Sequence, residues 1–270
     1  MPFQRNLKTF ALLVAGCVVV LALAALPGLA QAKKAAPPAR KSADLIVTAR
    51  YVVTMDSARR IIENGAIAIK GDTIVAAGPR AEVEARYTAA RHITATGNLV
   101  MPGLINGHTH AAMSLLRGIA DDLDLQDWLN NYIFPAEARN VTPEFVTWGT
   151  RLGMLEMIEG GTTTYADMYY FEDDVARETK AAGMRGVLGE TLIDFPAPDN
   201  KTMPAALAYS ETYLKHWQGD PLIRAAVAPH SIYTCSRKTL EDAASLARRY
   251  HAPILIHVAE TKKELDDSIT

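Results

Sequence analysis

The stretch that decides the fold occupies residues 99–110 and reads LVMPGLINGHTH. Its first part, residues 99–105, is apolar and predicts a buried β-strand, and glycines flank the turn that follows. Next come His108 and His110, whose spacing of two places both imidazoles on one side of an extended chain. Neutral imidazole is a preferred ligand of zinc and similar divalent ions. Two close histidines also occur in packing or surface roles, so the pair alone leaves both interpretations open.

Apolar strand candidates alternate with helical candidates from this stretch onward. The strands are predicted at residues 99–105, 162–168, 184–192, 223–228 and 253–258, and the helices between them at residues 143–159, 173–182, 203–217 and 236–251. Strands separated by helices indicate βαβ units and a parallel sheet, either open or closed into a barrel. Parallel barrels keep their functional groups at the carboxyl ends of the strands, which is where His108 and His110 lie.

A third histidine, His257, ends the last of these strands, and Glu260 follows three positions later. On a continuing strand Glu260 would point away from His257, so we expect the chain to turn back toward the mouth of the site there. Taken alone, the pair is better explained by a strand cap and a solvated glutamate. Together with His108 and His110, it indicates a hydrolytic metal site with a proton-transferring carboxylate.

Residues 43–99 have the pattern of a small antiparallel β-structure. Short β-branched runs lie at residues 45–48, 51–55, 66–69 and 73–77. Turn residues separate them, such as those at 64–65 and 70–72. Fewer than 60 residues make a thin core if they stand alone. The pattern therefore predicts a half-sheet that needs partners to bury its second face.

The first 32 residues are typical of an export signal peptide. Arg5 and Lys8 precede an apolar run over residues 9–29, and the small residues of Ala30-Gln31-Ala32 suit signal peptidase. A retained membrane anchor and lipidation at Cys17 are the alternatives. We expect an exported protein, periplasmic or extracellular, with no stable membrane insertion after the leader is cleaved.

Charge and cysteine content exclude two further classes of protein. Residues 33–42, rich in Lys, Ala and Pro, are predicted to form a flexible tether. All 30 Asp and Glu residues and 22 of the 28 Lys and Arg residues follow residue 41, which gives that part a formal charge of −8. A domain this acidic has no electrostatic footprint for nucleic acid. Cleavage of the leader leaves Cys235 as the single cysteine, which excludes an intrachain disulfide.

Four blocks, in this order and spacing, resemble the amidohydrolase superfamily. They are PGLINGHTH (residues 102–110), LLRGIADDLDLQDWL (115–129), APHSIYTCS (228–236) and ILIHVAET (254–261). The most similar branch is the cytosine deaminase-like one, which holds adenosylhomocysteine and methylthioadenosine deaminases and triazine chlorohydrolases. The resemblance implies an α/β fold. Residues 100–270 would form about five β/α units of a (β/α)₈ TIM barrel, and residues 43–99 the N-terminal part of a β-sandwich.

The resemblance also implies the chemistry of the site. His108, His110 and His257 would hold one divalent metal ion, Zn²⁺ with Fe²⁺ as the alternative, and Glu260 would be the catalytic proton-transferring residue. The implied reaction is hydrolytic deamination of an aminated purine nucleoside or a related heterocycle. A triazine-type chlorohydrolase, a guanine deaminase and an inactive metal-binding fragment are the alternatives. The family has a further histidine on strand six and an aspartate ligand on strand eight, so we expect a truncated chain with three of four metal ligands.

Three further residues are implied to bind the substrate. His230 matches a substrate-contacting histidine, Trp128 an aromatic wall of the pocket, and Glu137 a carboxylate that can bind ribose hydroxyls. A core tryptophan and a solvated glutamate are the alternatives for the last two. Glu190 stands near a position where some adenosylhomocysteine-acting relatives carry arginine, and this departure argues against that substrate. The expected partner is a small heterocyclic molecule, and a homo-oligomer remains open.

Overall fold

The computed structural model describes residues 39–269 and contains two compact units, one up to Met101 and one from Pro102 onward. The predicted signal peptide, Cys17 and most of the predicted tether lie outside the described residues, so the expectations for export stay predictions. Within residues 39–269 the structure has no helix of the length and apolarity that a bilayer crossing requires.

The first unit is a four-stranded sheet with one short helix. Its elements are β1 (Lys41–Val53), β2 (Ile61–Lys70), β3 (Thr73–Pro79), α1 (Arg80–Arg86) and β4 (Tyr87–Val100). The strand order is β3-β2-β1-β4. Strand β2 is antiparallel to both neighbours, whereas β4 runs parallel to β1. The antiparallel prediction is therefore wrong for the β1–β4 pair, because α1 supplies the crossover that parallel strands need.

Sequence patterns misjudged two features of this sheet. The predicted turn at Asn64-Gly65 lies inside β2, where Asn64 has a φ of 45° and Gly65 pairs with Ala49 of β1. A Cβ at Gly65 would approach Val52 to 2.7 Å, so glycine allows the strands to pack closely here. Strand β4 went unrecognised because most of its side chains are exposed, which leaves no apolar alternation to detect. Membership of this sheet in a β-sandwich stays a prediction.

The second unit alternates strands and helices. Its strands are β5 (Leu104–Thr109), β6 (Thr162–Tyr169), β7 (Arg185–Leu192) and β8 (Ile223–Pro229). They form a parallel sheet in the order β5-β6-β7-β8. The helical elements of this unit are a 3₁₀ turn (Ala111–Leu116), α2 (Leu125–Asp127), a π-helical turn (Trp128–Ile133), α3 (Phe134–Asn140), α4 (Pro143–Glu159), α5 (Glu172–Ala182), α6 (Met203–His216), α7 (Arg237–Tyr250) and α8 (Lys262–Ile269).

Capping residues explain why α4 to α7 lie within one residue of their predicted bounds. The side chains of Thr142, Thr202 and Ser236 each accept a backbone N–H from the first turn of α4, α6 and α7. Helix α5 ends at Gly183, whose φ of 73° suits glycine. The apolar core lies between these helices and the sheet.

The predicted strand at residues 99–105 is wrong in its bounds. Leu99 and Val100 end β4 of the first unit, where they pair with Tyr51 and Val52 of β1. Strand β5 begins only at Leu104 and continues to Thr109. The apolar run at residues 99–105 therefore contributes residues to two different sheets. Hydrophobicity alone does not reveal the boundary between them.

The predicted strand at residues 253–258 is present as an extended segment rather than a regular strand. It joins β8 through two isolated parallel bridges, Val227 to Ile254 and Ser231 to His257. The Leu255 N–H donates to Val227 O at 3.0 Å, and the His257 N–H donates to His230 O at 3.0 Å. Within residues 39–269 no strand pairs with its other edge. Even so, His257 lies beside the end of β8.

Candidate active site

A cavity of about 220 Å³ lies at the carboxyl ends of the parallel strands of the second unit. All seven residues predicted for the site line this one cavity: His108, His110, Trp128, Glu137, His230, His257 and Glu260. Elements far apart in sequence deliver them, from β5 to the segment after β8. The structure thus brings the predicted residues together, and their individual roles stay predictions.

The three predicted metal ligands converge. His108 lies near the end of β5, His110 follows that strand directly, and His257 comes from the extended segment beside β8. One ring nitrogen of each lies within 4.8 Å of those of the other two. The ring of His108 lies 4.9 Å from that of His110 and 5.0 Å from that of His257, centroid to centroid.

Backbone carbonyls fix the orientation of two of these imidazoles. His110 Nδ1 lies 2.7 Å from Met168 O, and His257 Nδ1 lies 2.9 Å from His230 O. A carbonyl only accepts, so each Nδ1 carries the proton and each Nε2 presents a lone pair. The two Nε2 atoms face each other at 3.2 Å. Burial lowers the pKa of His110 to about 4, which favours the neutral ligand form.

This donor set fits a divalent metal ion. Two lone pairs that face each other at 3.2 Å repel unless a cation or a proton lies between them. Metal-bound histidines typically donate their other N–H to a carbonyl or carboxylate, as His110 and His257 do here. Three histidines are also a common ligand set for catalytic zinc.

A residue that the sequence analysis missed, Asp167, holds the backbone around His110. It lies on β6, is fully buried, and accepts hydrogen bonds from the Thr109 hydroxyl and, at 2.7 Å, from the Ala111 N–H. These two residues flank His110. Burial raises the pKa of Asp167 to about 6. No local pattern could indicate this contact, because it spans more than 50 residues of sequence.

We expect Asp167→Ala to lower the free energy of unfolding by about 1–3 kcal/mol, because it leaves the buried Ala111 N–H without its acceptor, whereas the Thr109 hydroxyl keeps Ala166 O at 2.9 Å. Asp167→Asn keeps an acceptor oxygen and should cost about 1 kcal/mol or less. Urea unfolding of the two variants measures the difference. Equal losses of stability in both variants would show that the carboxamide oxygen of asparagine cannot replace the carboxylate as a hydrogen-bond acceptor.

His230 and Glu260 both line the cavity near His257. His230 Nδ1 lies 2.9 Å from Thr234 Oγ1, which leaves Nε2 available to a bound molecule. Burial, with smaller effects of the nearby His257 and His110, lowers the pKa of His230 to about 3. The expected turn before Glu260 is present at Ala259, whose φ is 59°. It places the exposed Glu260 side chain at the cavity mouth.

Glu137 and Trp128 form another part of the wall. Glu137 is only 4% exposed, so its interpretation as a solvated glutamate is wrong. Burial raises its pKa to about 7, although the hydroxyls of Tyr169 and Tyr170 oppose that shift. Trp128 is partly buried, and its Nε1–H donates to Ala120 O at 3.2 Å, which holds the indole against the cavity.

Glu190 does not face the cavity. Its carboxylate is fully buried and accepts the Glu172 N–H at 3.1 Å. Neighbouring residues of a strand point to opposite faces, and it is Thr191 that lines the cavity. Glu190 is therefore not part of the cavity wall, and an effect of its difference from arginine on the choice of substrate stays a prediction.

Several lining residues escaped the sequence analysis. The polar ones are Tyr169, Tyr170, Thr191 and Tyr233, and the apolar ones are Met113, Leu125, Leu129, Ile133, Phe134 and Met168. Their position at the carboxyl end of a predicted strand was a usable signal for Tyr169 and Thr191. The apolar residues of the 3₁₀ and π-helical turns gave no such signal.

Comparisons with known proteins agree with this geometry. A model described as the amidohydrolase family matches residues 99–270. The chain belongs to the amidohydrolase family. A second model, an imidazolonepropionase-like composite domain of bacteria, matches residues 65–90.

Relatives of this amidohydrolase include deaminases. It is 49% identical over 232 residues to a 5-methylthioadenosine/S-adenosylhomocysteine deaminase of Syntrophus aciditrophicus, a match that covers 85% of this chain and 52% of the relative. A crystal structure of an adenosine deaminase from Xanthomonas campestris with bound zinc has a TM-score of 0.83 and 38% identity, and covers 86% of this chain and 53% of that one. The E. coli guanine deaminase, at 22% identity and a TM-score of 0.72, covers 81% and 54% and shows the fold alone.

These findings confirm the α/β fold class as part of an amidohydrolase-type (β/α)₈ barrel. The chain spans about half the length of the curated relatives it matches. The histidine triad and the zinc-bearing relative also support a divalent metal site.

Proposed function

We propose that this protein is a metal-dependent hydrolase that deaminates an aminated purine nucleoside. The observation that carries the proposal is the convergence of three histidine ring nitrogens in a cavity whose mouth also holds Glu260. The names of its relatives make 5′-methylthioadenosine, S-adenosylhomocysteine and adenosine the first substrates to test.

His108, His110 and His257 would hold one divalent ion, for which zinc is favoured by the zinc-bearing relative. When bound, such an ion lowers the pKa of a coordinated water toward about 7 and so supplies hydroxide at neutral pH. The neutral state of His110 and its fixed Nδ1–H keep Nε2 ready as a ligand. The protein thus supplies a preorganised donor set that needs little rearrangement.

Glu260 would move protons at the cavity mouth. Its carboxyl group would protonate a ring nitrogen beside the carbon under attack, which makes that carbon more electrophilic. The oxygen of water forms the new C–O bond and the exocyclic C–N bond breaks. Ammonia leaves with one proton from the water, and the other proton returns to Glu260 in place of the one given to the ring nitrogen. One water is consumed for each ammonia released.

Substrate contacts would come from the remaining predicted residues. His230 offers Nε2 to the heterocycle, and Trp128 offers an aromatic face. Glu137 has a pKa of about 7, so near neutrality it can either accept from or donate to a ribose hydroxyl. Apolar neighbours such as Met113, Phe134 and Met168 suit an uncharged purine or thioether.

Purified protein supplied with zinc should release ammonia from at least one of 5′-methylthioadenosine, S-adenosylhomocysteine and adenosine. Guanine and an aminated chlorotriazine test the two alternative reactions, since the second would release chloride instead. Zinc binding without turnover of any of these compounds would contradict the proposed activity and support an inactive metal-binding fragment. We further propose action outside the cytoplasm, on the support of the signal-like residues 1–32.

A further inference from the structure

Tyr233 lies in the loop after β8 and reaches the carboxylate of Glu260. Its hydroxyl donates to Glu260 Oε2 at 2.6 Å, across 27 residues of sequence. We propose that Tyr233 is a positioning residue, which holds the Glu260 carboxylate in the orientation needed for proton transfer. This inference rests on the proposed function, because it assigns Tyr233 a place in the same reaction.

The backbone of Glu260 is already fixed by a different contact. Buried Glu264 accepts the Ala259 N–H at 3.0 Å through Oε1 and the Glu260 N–H at 2.8 Å through Oε2. The Glu264 N–H in turn donates to Thr261 Oγ1 at 3.1 Å, which starts α8. These bonds hold the turn at Ala259 and leave only the side-chain torsions of Glu260 free.

Those torsions need a restraint because Glu260 is exposed to solvent. A glutamate side chain at a cavity mouth samples several rotamers unless a partner selects one. A hydroxyl that donates to a carboxylate forms a short, charge-assisted hydrogen bond, and 2.6 Å is in that range. The bond occupies Oε2 and leaves Oε1 as the oxygen available to the heterocycle.

The same loop also orients the predicted substrate-binding histidine. Thr234 Oγ1 lies 2.9 Å from His230 Nδ1, and the Tyr233 ring lies 6.0 Å from the His230 ring. The His230 carbonyl accepts from His257 Nδ1. Residues of one short loop therefore contact Glu260, which would transfer protons, His230, which would bind substrate, and His257, which would bind the metal. Loss of the Tyr233 hydroxyl should disturb only Glu260.

Tyr233→Phe tests the proposal through the split between kcat and KM. We expect kcat to fall about 10-fold while KM changes by less than about 2-fold, because misplacing a catalytic group lowers the rate without weakening substrate binding. Tyr132→Phe is the matched control, since Tyr132 is exposed and does not line the cavity. A raised KM with unchanged kcat would overturn the proposal, because it would show that Tyr233 binds substrate instead.

A double-mutant cycle separates positioning from a general structural role. In a Glu260→Gln background, Tyr233→Phe should lower the residual rate by less than about 2-fold, because the side chain that Tyr233 contacts no longer transfers a proton. A further 10-fold loss would show that Tyr233 acts independently of Glu260. Circular dichroism of each variant tests whether the fold is retained.

An NMR measurement tests the contact without turnover. In protein labelled with [¹³Cζ]tyrosine, the Tyr233 signal is the one missing from Tyr233→Phe, and it should shift in Glu260→Ala. An unshifted signal would overturn the proposal. If wild-type protein releases no ammonia, the proposed function fails, and the shift alone then decides whether Tyr233 holds Glu260.

Discussion

Glu260→Gln should lower the rate of ammonia release by about 10²–10⁴-fold, the usual contribution of a positioned general acid or base. Glutamine has nearly the same shape as glutamate and cannot give up or take up a proton under these conditions. Its carbonyl can still accept from the Tyr233 hydroxyl, so the mouth of the cavity should keep its geometry. Steady-state ammonia release measures the loss.

Metal content distinguishes this prediction from a disrupted site. The proposed metal ligands are three histidines and do not include Glu260, so the variant should bind zinc as tightly as the wild type. Glu241→Gln is the matched control, because Glu241 is an exposed carboxylate of α7, paired with Arg237, outside the cavity lining. A Glu260→Gln protein that keeps more than about a tenth of the wild-type rate would contradict the assignment of proton transfer to Glu260.

The parts of the fold that the sequence predicted well are those with local signals. Helix α4 begins after Thr142 with a proline in its first turn, so its start could be predicted from the sequence. Helix α5 ends at Gly183, so its end could be predicted in the same way. Strands β6, β7 and β8 are short apolar runs between such helices. By contrast, β4 is mostly exposed and pairs in parallel with β1 across 46 residues, as from Lys41 to Tyr87.

The residues of the candidate site likewise divide into those with a local signal in the sequence and those without one. His108 and His110 stand at the end of a strand, and the resemblance to a family located His257, His230 and Glu260 through short motifs. Asp167 and Tyr233 were missed, because their importance lies in hydrogen bonds to residues 56 and 27 positions away. Such contacts depend on the register between neighbouring strands, which a single sequence does not specify.

His257→Ala should weaken zinc binding by more than about 100-fold, since loss of an outer partner of a ligand already costs about 10–100-fold. The variant removes the Nε2 atom that faces His110 Nε2 at 3.2 Å. It leaves the backbone bond from the His257 N–H to His230 O in place, so the segment should keep its position beside β8. Competition with a chromophoric chelator measures the affinity.

A matched histidine shows whether the effect belongs to the site. His92 is an exposed histidine of β4 in the first unit, so His92→Ala should leave zinc affinity unchanged. His110→Ala should instead reproduce the loss, because Met168 O orients the imidazole of His110 as His230 O orients that of His257. If His257→Ala retained its full metal content, the three-histidine assignment would be undone. The facing Nε2 atoms would then have to share a proton instead of a metal ion.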